Sequence, residues 1–506
     1  MQGFAMVDLV ILVVYLAAVL FAGLHFAKRE MKGKEYFKGD GTVPWWVTSV
    51  SIFATLLSPI SFLSLAGNSY AGTWIMWFAQ LGMLLAIPLT IKFFLPIYSK
   101  LDLDTAYHYL ELRFGNKGLR VLGAVMFIIY QVGRMSIIMY LPCMVLGSLT
   151  GISVNVLIIV MGVIAIIYSY TGGLKSVLWT DFIQGSVLLV GVTFALVFLL
   201  VHIDGGLGAI FTAFTEEHKF LAVDQPIFDI NILKDSVFIM IVGAGFNTMG
   251  SYVSSQDIVQ RFTTTTDRKK LNKMMLTNGA LSIFIATVFY LIGIGLYVFY
   301  QQNTLPPAAA QDQIFASYIA FELPVGITGL LLAAIYAASQ STLSTGLNSV
   351  AASWTLDIQA RLSKKELSFE KQTKIGQYVS LIVGIFSIVV AMVLANGGVK
   401  SAYEWFNGFM GLVLGILIGT FILGAFTKVA NTFGATLAFI AASAVMIGIK
   451  YFTPAGAVSI WSYSLISIAV SLVVGIPASL IWRKVKGDAS VPAPFTTVYK
   501  NSGGRL

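Results

Sequence analysis

Long apolar segments, separated by short polar loops, dominate the pattern of hydrophobic and polar positions along the chain. Each segment has about 18 to 35 residues, which is enough for a helix to cross a bilayer core of about 30 Å. The pattern predicts an all-α polytopic membrane protein with about 13 transmembrane helices. The predicted spans are residues 6–27, 45–66, 74–97, 121–148, 152–170, 177–202, 236–258, 274–299, 323–357, 375–396, 402–425, 430–449 and 458–482.

The first apolar segment is predicted to remain in the mature protein as a membrane span. No basic residue precedes it, and at 22 residues it is longer than the apolar region of a secretory signal. It carries one acidic residue, Asp8, near its outer end. A cleaved signal peptide is therefore not expected.

The distribution of basic residues predicts the orientation of the spans. Cytoplasmic loops of membrane proteins hold an excess of Lys and Arg. With the N-terminus outside, the inner loops hold 27 of the 32 basic residues, the outer segments hold four, and Arg134 lies inside the fourth span. We therefore expect the N-terminus outside and the C-terminus in the cytoplasm.

Composition excludes several other classes of protein. Of the 506 residues, 57% are hydrophobic and 11% are charged, whereas soluble proteins carry about 25% charged residues. The single cysteine, Cys143, has no intrachain disulfide partner. The net charge of +9 follows from the orienting loop residues, so it is no evidence for a nucleic-acid partner. Phosphate-binding, nucleophile-elbow and zinc-protease motifs do not occur, which argues against an ATP-driven pump or a membrane enzyme.

Two spans have features that favour an interruption of the helix. Pro59 in the second span removes a backbone donor, so a break is expected from Leu56 to Pro59. A packing kink relieved by nearby hydroxyls is the alternative. The seventh span has three glycines and one Asn within residues 243–250, which also favour a break. Each interrupted span opens a set of five, a pattern that predicts two inverted five-helix repeats with binding sites at the breaks.

The ninth span carries a row of small and hydroxyl side chains. Ala338, Ser341, Thr342 and Thr345 share one helical face, with Ser344 close by. Hydroxyl and carbonyl oxygens on such a face can bind a small monovalent cation. Small residues that only permit close helix packing are the alternative.

Two charged residues lie inside predicted spans. Asp181 is more than one turn inside the sixth span, where a carboxylate is costly unless it is paired or binds an ion. A water-exposed position near the inner face is the alternative. Arg134 lies near mid-membrane, with no acidic residue obvious at equal depth. Its guanidinium could bind an anionic substrate, or it could bond to helix carbonyls in a structural role.

Three motifs together resemble those of the sodium/solute symporter family. Residues 170–184 read YTGGLKSVLWTDFIQ, residues 255–261 read SQDIVQR and residues 341–349 read STLSTGLNS. The resemblance covers about residues 1–485 and implies alternating access by a core of two inverted five-helix repeats, as in LeuT-like transporters. One helix would precede this core and two would follow it.

The resemblance also implies a sodium site between the second and ninth spans. By motif position, Na+ would be bound by three carbonyls and two hydroxyls. These ligands are the carbonyls of Ala54, Leu57 and Ala338 and the hydroxyls of Ser341 and Thr342. A threonine replaces the second serine that is usual in the family, and it retains the oxygen.

Within the family, the chain is most similar to bacterial sodium-coupled sialic acid transporters. This similarity implies that Arg134 binds the substrate carboxylate and that Ser58, Ser61 and Gln80 bind its polyol and amide groups. Leu56 stands where that branch has a threonine, and Ser61 replaces another threonine, so some substrate contacts differ. A second sodium site of some members uses an Asp and a hydroxyl pair. Its residues here would be Asp181, Ser341, Ser344 and Thr345.

The expected function is sodium-driven uptake of sialic acid across a bacterial inner membrane by a protein that is not an enzyme. The expected partners are two Na+ per substrate, the anionic sugar acid and the bilayer, and the protein is expected to be monomeric. A carrier for proline, pantothenate or a sugar is the alternative, as is a sensor or channel on the same scaffold. The predicted regions are an extra first helix and inner loop (1–40), the first repeat (41–203), an extracellular loop (204–235), the second repeat (236–426), two additional helices (427–485) and a cytoplasmic tail (486–506).

Overall fold

The computed structural model of the chain describes residues 5–27, 34–39, 41–101, 103–304, 313–363, 366–397, 402–454 and 456–486. All regular secondary structure in this part of the chain is helical. The α-helices are α1 (Met6–Ala27), α2 (Lys34–Lys38), α3 (Trp45–Leu56), α4 (Pro59–Ala71), α5 (Met83–Leu89), α6 (Leu95–Lys100), α7 (His108–Phe114), α8 (Lys117–Thr150), α9 (Val154–Val201), α10 (Gly206–Thr215), α11 (Val237–Ser254), α12 (Gln256–Phe262), α13 (Arg268–Gln302), α14 (Ile314–Phe321), α15 (Ile327–Ala352), α16 (Ala360–Leu362), α17 (Phe369–Asn396), α18 (Ala402–Phe426), α19 (Thr432–Phe452) and α20 (Tyr463–Lys486).

Short segments of tighter or wider helix join several α-helices. The 3-10 segments are Trp74–Gly82 and Ile460–Ser462, and the π segments are Thr90–Phe94 and Ser353–Gln359. Trp74–Gly82 leads directly into α5, so the predicted third span begins as a 3-10 helix.

Within the described residues, ten helices are long and apolar enough to cross a membrane, and the bent pair of α3 and α4 makes eleven. The other two predicted spans coincide with α18, whose described apolar part is Val413–Phe426, and with the first half of α9, Val154–Ile167. Each of the thirteen predicted segments thus coincides with a helix. Thirteen membrane crossings and the two-repeat organisation stay predictions.

The ninth predicted span is the centre of the bundle. Within the apolar window of Ile327–Leu362, 89% of the residues are buried, compared with 28% for α1 and for α17. Helix α15 packs against α1, α3, α8, α9 and α17. Helices α18, α19 and α20 pack against one another, and α18 also contacts α8 and α11. Any side chain on α15 is therefore positioned by neighbours on several sides.

The second predicted span is broken where Pro59 predicts a break. Helix α3 ends at Leu56, Leu57 and Ser58 have extended backbone, and α4 starts at Pro59 with a bend of 63°. Proline is well tolerated in the first turn of a helix, where its missing N–H has no intrahelical partner to lose. The Ser58 side chain caps α4 by accepting a hydrogen bond from the Ser61 backbone N–H at 3.4 Å.

The predicted break within residues 243–250 is wrong. Helix α11 continues through these glycines to Ser254, and the chain breaks at Ser255, which has extended backbone before α12 begins. The glycines serve close helix packing instead. A Cβ at Gly243 would overlap the Trp461 carbonyl, and a Cβ at Gly245 would lie 3.0 Å from the Gly82 carbonyl oxygen.

Helix α9 contains one sharp kink, at Gly173. This residue has the non-helical angles φ 55° and ψ −163°, and it lies between the two predicted spans that α9 covers. A Cβ at Gly173 would lie 2.7 Å from the Tyr36 carbonyl oxygen. Glycine is therefore required both by the backbone angle and by the close approach of α2.

Candidate functional site

The break in the second span leaves carbonyls of α3 without intrahelical donors. Ala54 would require the N–H of Ser58, which is outside both helices, and Thr55 would require an N–H that Pro59 does not have. Buried carbonyls of this kind are satisfied by other partners. The side chains that donate to these two carbonyls come from α8 and α15. The candidate functional site therefore lies at the break between α3 and α4.

Side chains of α15 meet these carbonyls. Ser341 Oγ lies 3.1 Å from both the Ala54 and Ala338 carbonyl oxygens. Thr342 Oγ1 lies 3.1 Å from the Ala338 carbonyl oxygen and 3.5 Å from that of Thr55. Four of the five oxygens expected for the first sodium site are thus adjacent, and all four residues are buried. The Leu57 carbonyl is not joined to them by a hydrogen bond among the described residues.

These oxygens suit a small monovalent cation. Hard cations prefer oxygen ligands, and the group contains carbonyls and hydroxyls but no carboxylate. The hydroxyls now donate to the carbonyls. A bound Na+ would receive lone pairs from all of them once the hydroxyl hydrogens turn away.

The expected residues of the second sodium site are also adjacent. Asp181 lies on α9, and its carboxylate accepts hydrogen bonds from Ser344 at 3.5 Å and from Thr345 at 3.1 Å. Ser344 in turn donates to the Ser341 carbonyl at 3.1 Å. Asp181 is fully buried, so the water-exposed alternative is wrong.

A second group of contacts to Asp181 comes from residues that the sequence interpretation missed. The Ser51 hydroxyl on α3 donates to Asp181 Oδ2 at 2.6 Å. Arg261 on α12 donates from Nη2 to Asp181 Oδ2 at 2.7 Å and to Thr345 Oγ1 at 2.6 Å. Arg261 lies just after the predicted span 236–258, which predicts an exposed inner-loop position, but the residue is fully buried.

Arg134 is buried, with 4% of its surface exposed, and it does have an acidic partner. Its Nη1 lies 2.6 Å from Asp257 Oδ2, and its Nη2 donates to the Thr55 carbonyl at 2.6 Å. The expectation that no acid lies at its depth is therefore wrong. Asp257 is within the quoted motif SQDIVQR, and only the packing of α12 against α3 and α15 reveals the pair.

The second break supplies Asp257 in a defined position. Asp257 Oδ1 accepts hydrogen bonds from the Ser255 hydroxyl and from the Ile258 backbone N–H, the latter at 3.0 Å. The carbonyls at the end of α11 are satisfied by tyrosine hydroxyls: Tyr98 donates to Val253, and Tyr107 donates to Ser254 at 2.9 Å. Side chains from other segments thus satisfy the backbone at both breaks.

Two further polar groups in this region have no hydrogen-bond partner among the described residues, and one of them belongs to Arg134 itself. They are Nε of Arg134 and the side-chain amide of Gln131, one turn earlier on α8. Both are buried. Unsatisfied buried donors are costly, so such atoms favour a polar ligand.

The remaining expected substrate residues lie on two segments. Ser58 is buried and Ser61 is half-buried, and their hydroxyl oxygens are 3.5 Å apart on the first turn of α4. Gln80 is half-buried in the 3-10 segment Trp74–Gly82, and its side chain makes no hydrogen bond within the described part of the chain. The structure therefore joins Ser58 and Ser61 to each other, and it joins neither of them to Gln80 or Arg134.

A separate charged cluster ties α7 and α8 to the π segment that follows α15. Arg120 contacts Asp357 at 2.5 Å and Glu111 at 2.9 Å, and Lys38 lies 3.5 Å from Asp104. Burial, with the positive charge of Arg120 next, lowers the pKa of His108 to about 4. His108 is therefore neutral at pH 7, consistent with the Asp104 backbone N–H donating to its Nδ1 at 3.2 Å.

Comparison with known proteins gives consistent matches. Residues 36–442 match the Sodium:solute symporter family. The chain is 35% identical to the sodium/sialic acid symporter of Proteus mirabilis over 89% of this chain and 91% of the relative. It is 32% identical to the sodium/sialic acid symporter of Aliivibrio fischeri, over 94% and 93%.

A solved structure shows the same similarity in three dimensions. It is the substrate-bound outward-open state of a Na+-coupled sialic acid symporter. The TM-score is 0.87 at 33% sequence identity, and the alignment covers 94% of this chain and 98% of the solved chain.

Proposed function

Because the chain belongs to the sodium:solute symporter family, we propose that it couples inward movement of sodium to uptake of sialic acid (N-acetylneuraminate). The observation that carries the proposal is a buried arginine beside a broken helix whose carbonyls meet two hydroxyls. The first feature suits a carboxylate, and the second suits Na+. The relatives supply the identity of the solute.

The proposed substrate site is built around Arg134. A guanidinium can bind a carboxylate through two parallel hydrogen bonds. Its unpaired Nε offers one donor, and an Nη atom supplies the second once Asp257 or the Thr55 carbonyl releases it. Ser58, Ser61 and Gln80 bind the polyol and amide groups, since hydroxyl and amide side chains can both donate and accept hydrogen bonds.

Two sodium ions are proposed for each substrate. Ala54, Leu57, Ala338, Ser341 and Thr342 bind the first ion, and Asp181, Ser341, Ser344 and Thr345 bind the second. The adjacency of Ser341 Oγ to the Ala54 carbonyl and of Thr345 Oγ1 to the Asp181 carboxylate supports both assignments.

The proposed cycle follows alternating access. Sodium fixes the distance between α3 and α15 in the outward-open state and thereby raises substrate affinity, and by linkage substrate raises sodium affinity equally. Closure on the outside and opening on the inside then release both. The reaction is transport without covalent chemistry, so the protein is not an enzyme.

The proposed setting is the bacterial inner membrane, with thirteen crossings, the N-terminus outside, the C-terminus in the cytoplasm and a monomeric protein. The excess of basic residues in the inner loops supports the orientation. The two helix breaks, at Leu57–Ser58 and at Ser255, support two LeuT-like five-helix repeats.

Reconstitution into liposomes tests the function directly. We expect labelled sialic acid to accumulate when an inward sodium gradient is imposed, and to stop accumulating when choline replaces sodium or an ionophore dissipates the gradient. Protein-free liposomes provide the background. Uptake that is independent of the sodium gradient would refute the symport mechanism, and uptake of proline or pantothenate in place of sialic acid would refute the substrate assignment.

Arg134→Lys tests the substrate site without leaving Asp257 unpaired. A lysine retains the charge but lacks the planar fork, so we expect calorimetric affinity for sialic acid to fall about tenfold or more. Sodium-dependent thermal stabilisation should persist. The matched control is Arg113→Lys, because Arg113 is also buried and donates to the backbone carbonyls of Gly424, Thr427 and Ala430. Equal affinities for the wild type and Arg134→Lys would exclude the two parallel hydrogen bonds between the guanidinium and the substrate carboxylate.

A further inference from the structure

Four buried side chains of alternating charge form a continuous series across the site. Arg134 on α8 contacts Asp257 on α12 at 2.6 Å, and Arg261 on α12 contacts Asp181 on α9 at 2.7 Å. Arg261 Nη1 also donates to the Asp257 backbone carbonyl, which links the two pairs. The series is neutral overall and joins the proposed substrate site to the proposed second sodium site.

At one end of the series, Arg261 contacts the same oxygens that the second sodium ion requires. Its Nη2 lies 2.7 Å from Asp181 Oδ2 and 2.6 Å from Thr345 Oγ1, and its Nε lies 2.9 Å from Ser51 Oγ. A sodium ion bound to Asp181 and Thr345 would place a second positive charge beside the guanidinium that already contacts both residues. The guanidinium and the ion therefore compete for Asp181.

At the other end, Asp257 competes with the substrate carboxylate. Both Nη atoms of Arg134 are engaged, one by Asp257 and one by the Thr55 carbonyl. Asp257 carries the same charge and the same oxygen geometry as the substrate carboxylate. Substrate binding is therefore strongest when Asp257 has another cation to pair with.

Arg261 is in position to be that other cation. Asp257 and Arg261 are four residues apart on α12, so their side chains lie on the same helical face. Arg261 already contacts the Asp257 backbone. Side chains of opposite charge at this spacing on one helix are within reach of each other.

Resting on the proposed function, we propose that sodium and substrate are coupled by an exchange of ion-pair partners along this series. Na+ replaces Arg261 at Asp181, Arg261 pairs with Asp257, and Asp257 releases Arg134 to the substrate carboxylate. Two pairs become three, and no proton or covalent bond is transferred.

The exchange keeps buried charges compensated. Leaving one member of a buried ion pair without a partner is strongly destabilising. In the proposed exchange each charge receives a new partner as it loses the old one. Sodium alone or substrate alone leaves the exchange incomplete, so each ligand binds more tightly when the other is present.

Two substitutions test the exchange through effects of opposite sign. Asp257→Asn removes the competitor for Arg134, so we expect the affinity for sialic acid at low sodium to rise. The ratio of the Kd of sialic acid at low sodium to its Kd at saturating sodium should fall about fivefold or more. Arg261→Gln removes the competitor for Asp181 and the alternative partner of Asp257. Sodium should therefore bind this variant more tightly, while sialic acid binds it more weakly.

The measurements use the full-length purified protein. Calorimetry gives the Kd of sialic acid at low and at saturating sodium, with choline keeping ionic strength constant. The midpoint of sodium-dependent thermal stabilisation, without sialic acid, gives sodium affinity. Asp8→Asn is the matched control, because Asp8 is a buried carboxylate that accepts from the Gly326 and Gly329 N–H groups. It should leave the ratio of the two Kd values unchanged.

The outcomes separate the two proposals. If the wild type binds no sialic acid, or binds it without sodium dependence, the proposed function fails. If the wild type is sodium-dependent but Arg261→Gln weakens sodium and sialic acid alike, the exchange is wrong and symport stands. An unchanged sodium dependence in Asp257→Asn would also refute the exchange. Should Asp257→Asn fail to fold, the sodium midpoint of Arg261→Gln decides the matter alone.

Discussion

At the scale of single residues, the two hydroxyls of α15 that reach across to α3 have the most specific geometry. Ser341 and Thr342 both bond the Ala338 carbonyl of their own helix, and Ser341 also bonds the Ala54 carbonyl of the broken helix. A ligand held between them would thus be sensitive to any movement of α3 against α15. A substitution at a neighbouring serine of the same helix serves as the control that separates ion binding from helix packing.

Ser341→Ala is expected to raise the sodium concentration for half-maximal uptake by about tenfold, since a bond to a charged group contributes about 1.5–3 kcal/mol. Ser339→Ala is the control. Among the described residues, the buried Ser339 hydroxyl donates only to the Ile335 carbonyl of its own helix, at 3.1 Å. Initial rates of sialic acid uptake, measured across a sodium titration, provide the comparison. An equal rise in both variants would mean that the serines act through helix stability.

The sequence predicts the hydroxyls and Asp181 better than it predicts their partners. Ser341, Thr342 and Thr345 lie on one face of a single helix, so helical geometry alone groups them. Asp257 and Arg261 lie on a different helix, and nothing in a linear pattern of charges shows that α12 packs against α3 and α15. Arg261 follows the predicted span 236–258, so the pattern of apolar segments places it in an inner loop, whereas the structure buries it on the short helix α12.

At the scale of secondary-structure elements, proline and glycine have different consequences. Pro59 interrupts hydrogen bonding by its covalent structure, so its position in the sequence predicts the break correctly. Gly243 and Gly245 only permit a break, and the surrounding packing decides whether one forms. Here α11 uses them to approach Trp461 and Gly82 closely. Its actual break, at Ser255, has no glycine or proline signal.

Gly243→Ala tests this packing role. The added methyl overlaps the Trp461 carbonyl, and overpacking of this kind costs about 1–3 kcal/mol. We expect a decrease of several degrees in the apparent Tm of the purified protein.

The control for that substitution is Gly448→Ala on α19, where a methyl would meet no atom within 4 Å. Alanine also favours a helix over glycine by about 1 kcal/mol, so this variant should be as stable as the wild type or more so. A Gly243→Ala protein with the wild-type Tm would contradict the packing assignment.

At the scale of the whole molecule, the charges that move with each cycle determine the response to voltage. In the proposed cycle, two Na+ and one monoanion carry one net positive charge inward, and moving one charge down the membrane potential releases about 2.3 kcal/mol per 100 mV. The four-residue charge series is neutral and stays with the protein, so it adds no net charge to this sum.

An inside-negative potential, set by potassium and valinomycin in the proteoliposomes, should therefore accelerate sialic acid uptake at constant sodium. An inside-positive potential should slow it. The control is the same potential applied without protein. A rate that does not respond to either potential would indicate one sodium per sialic acid and would remove the second sodium site from the mechanism.

The arrangement of helices could be predicted only in part. Apolar length predicts where the helices lie, because each must match the bilayer. It does not reveal that α15 is central and α1 and α17 peripheral, since all three are long enough to cross a membrane and differ in what packs against them. Nor does it reveal that Arg120, Asp357 and Glu111 form an ion-pair cluster at one end of the bundle, which requires three segments to meet.

Burial of the only cysteine makes this chain a convenient background for site-directed labelling. The Cys143 thiol lies inside α8 with none of its surface exposed, so thiol-reactive probes in water should not reach it in the folded protein. A pair of new cysteines on exposed residues of α17 and α19 would then carry all of the label. Distances between spin labels at such a pair, measured with and without sodium and sialic acid, would report how far the helices move in transport.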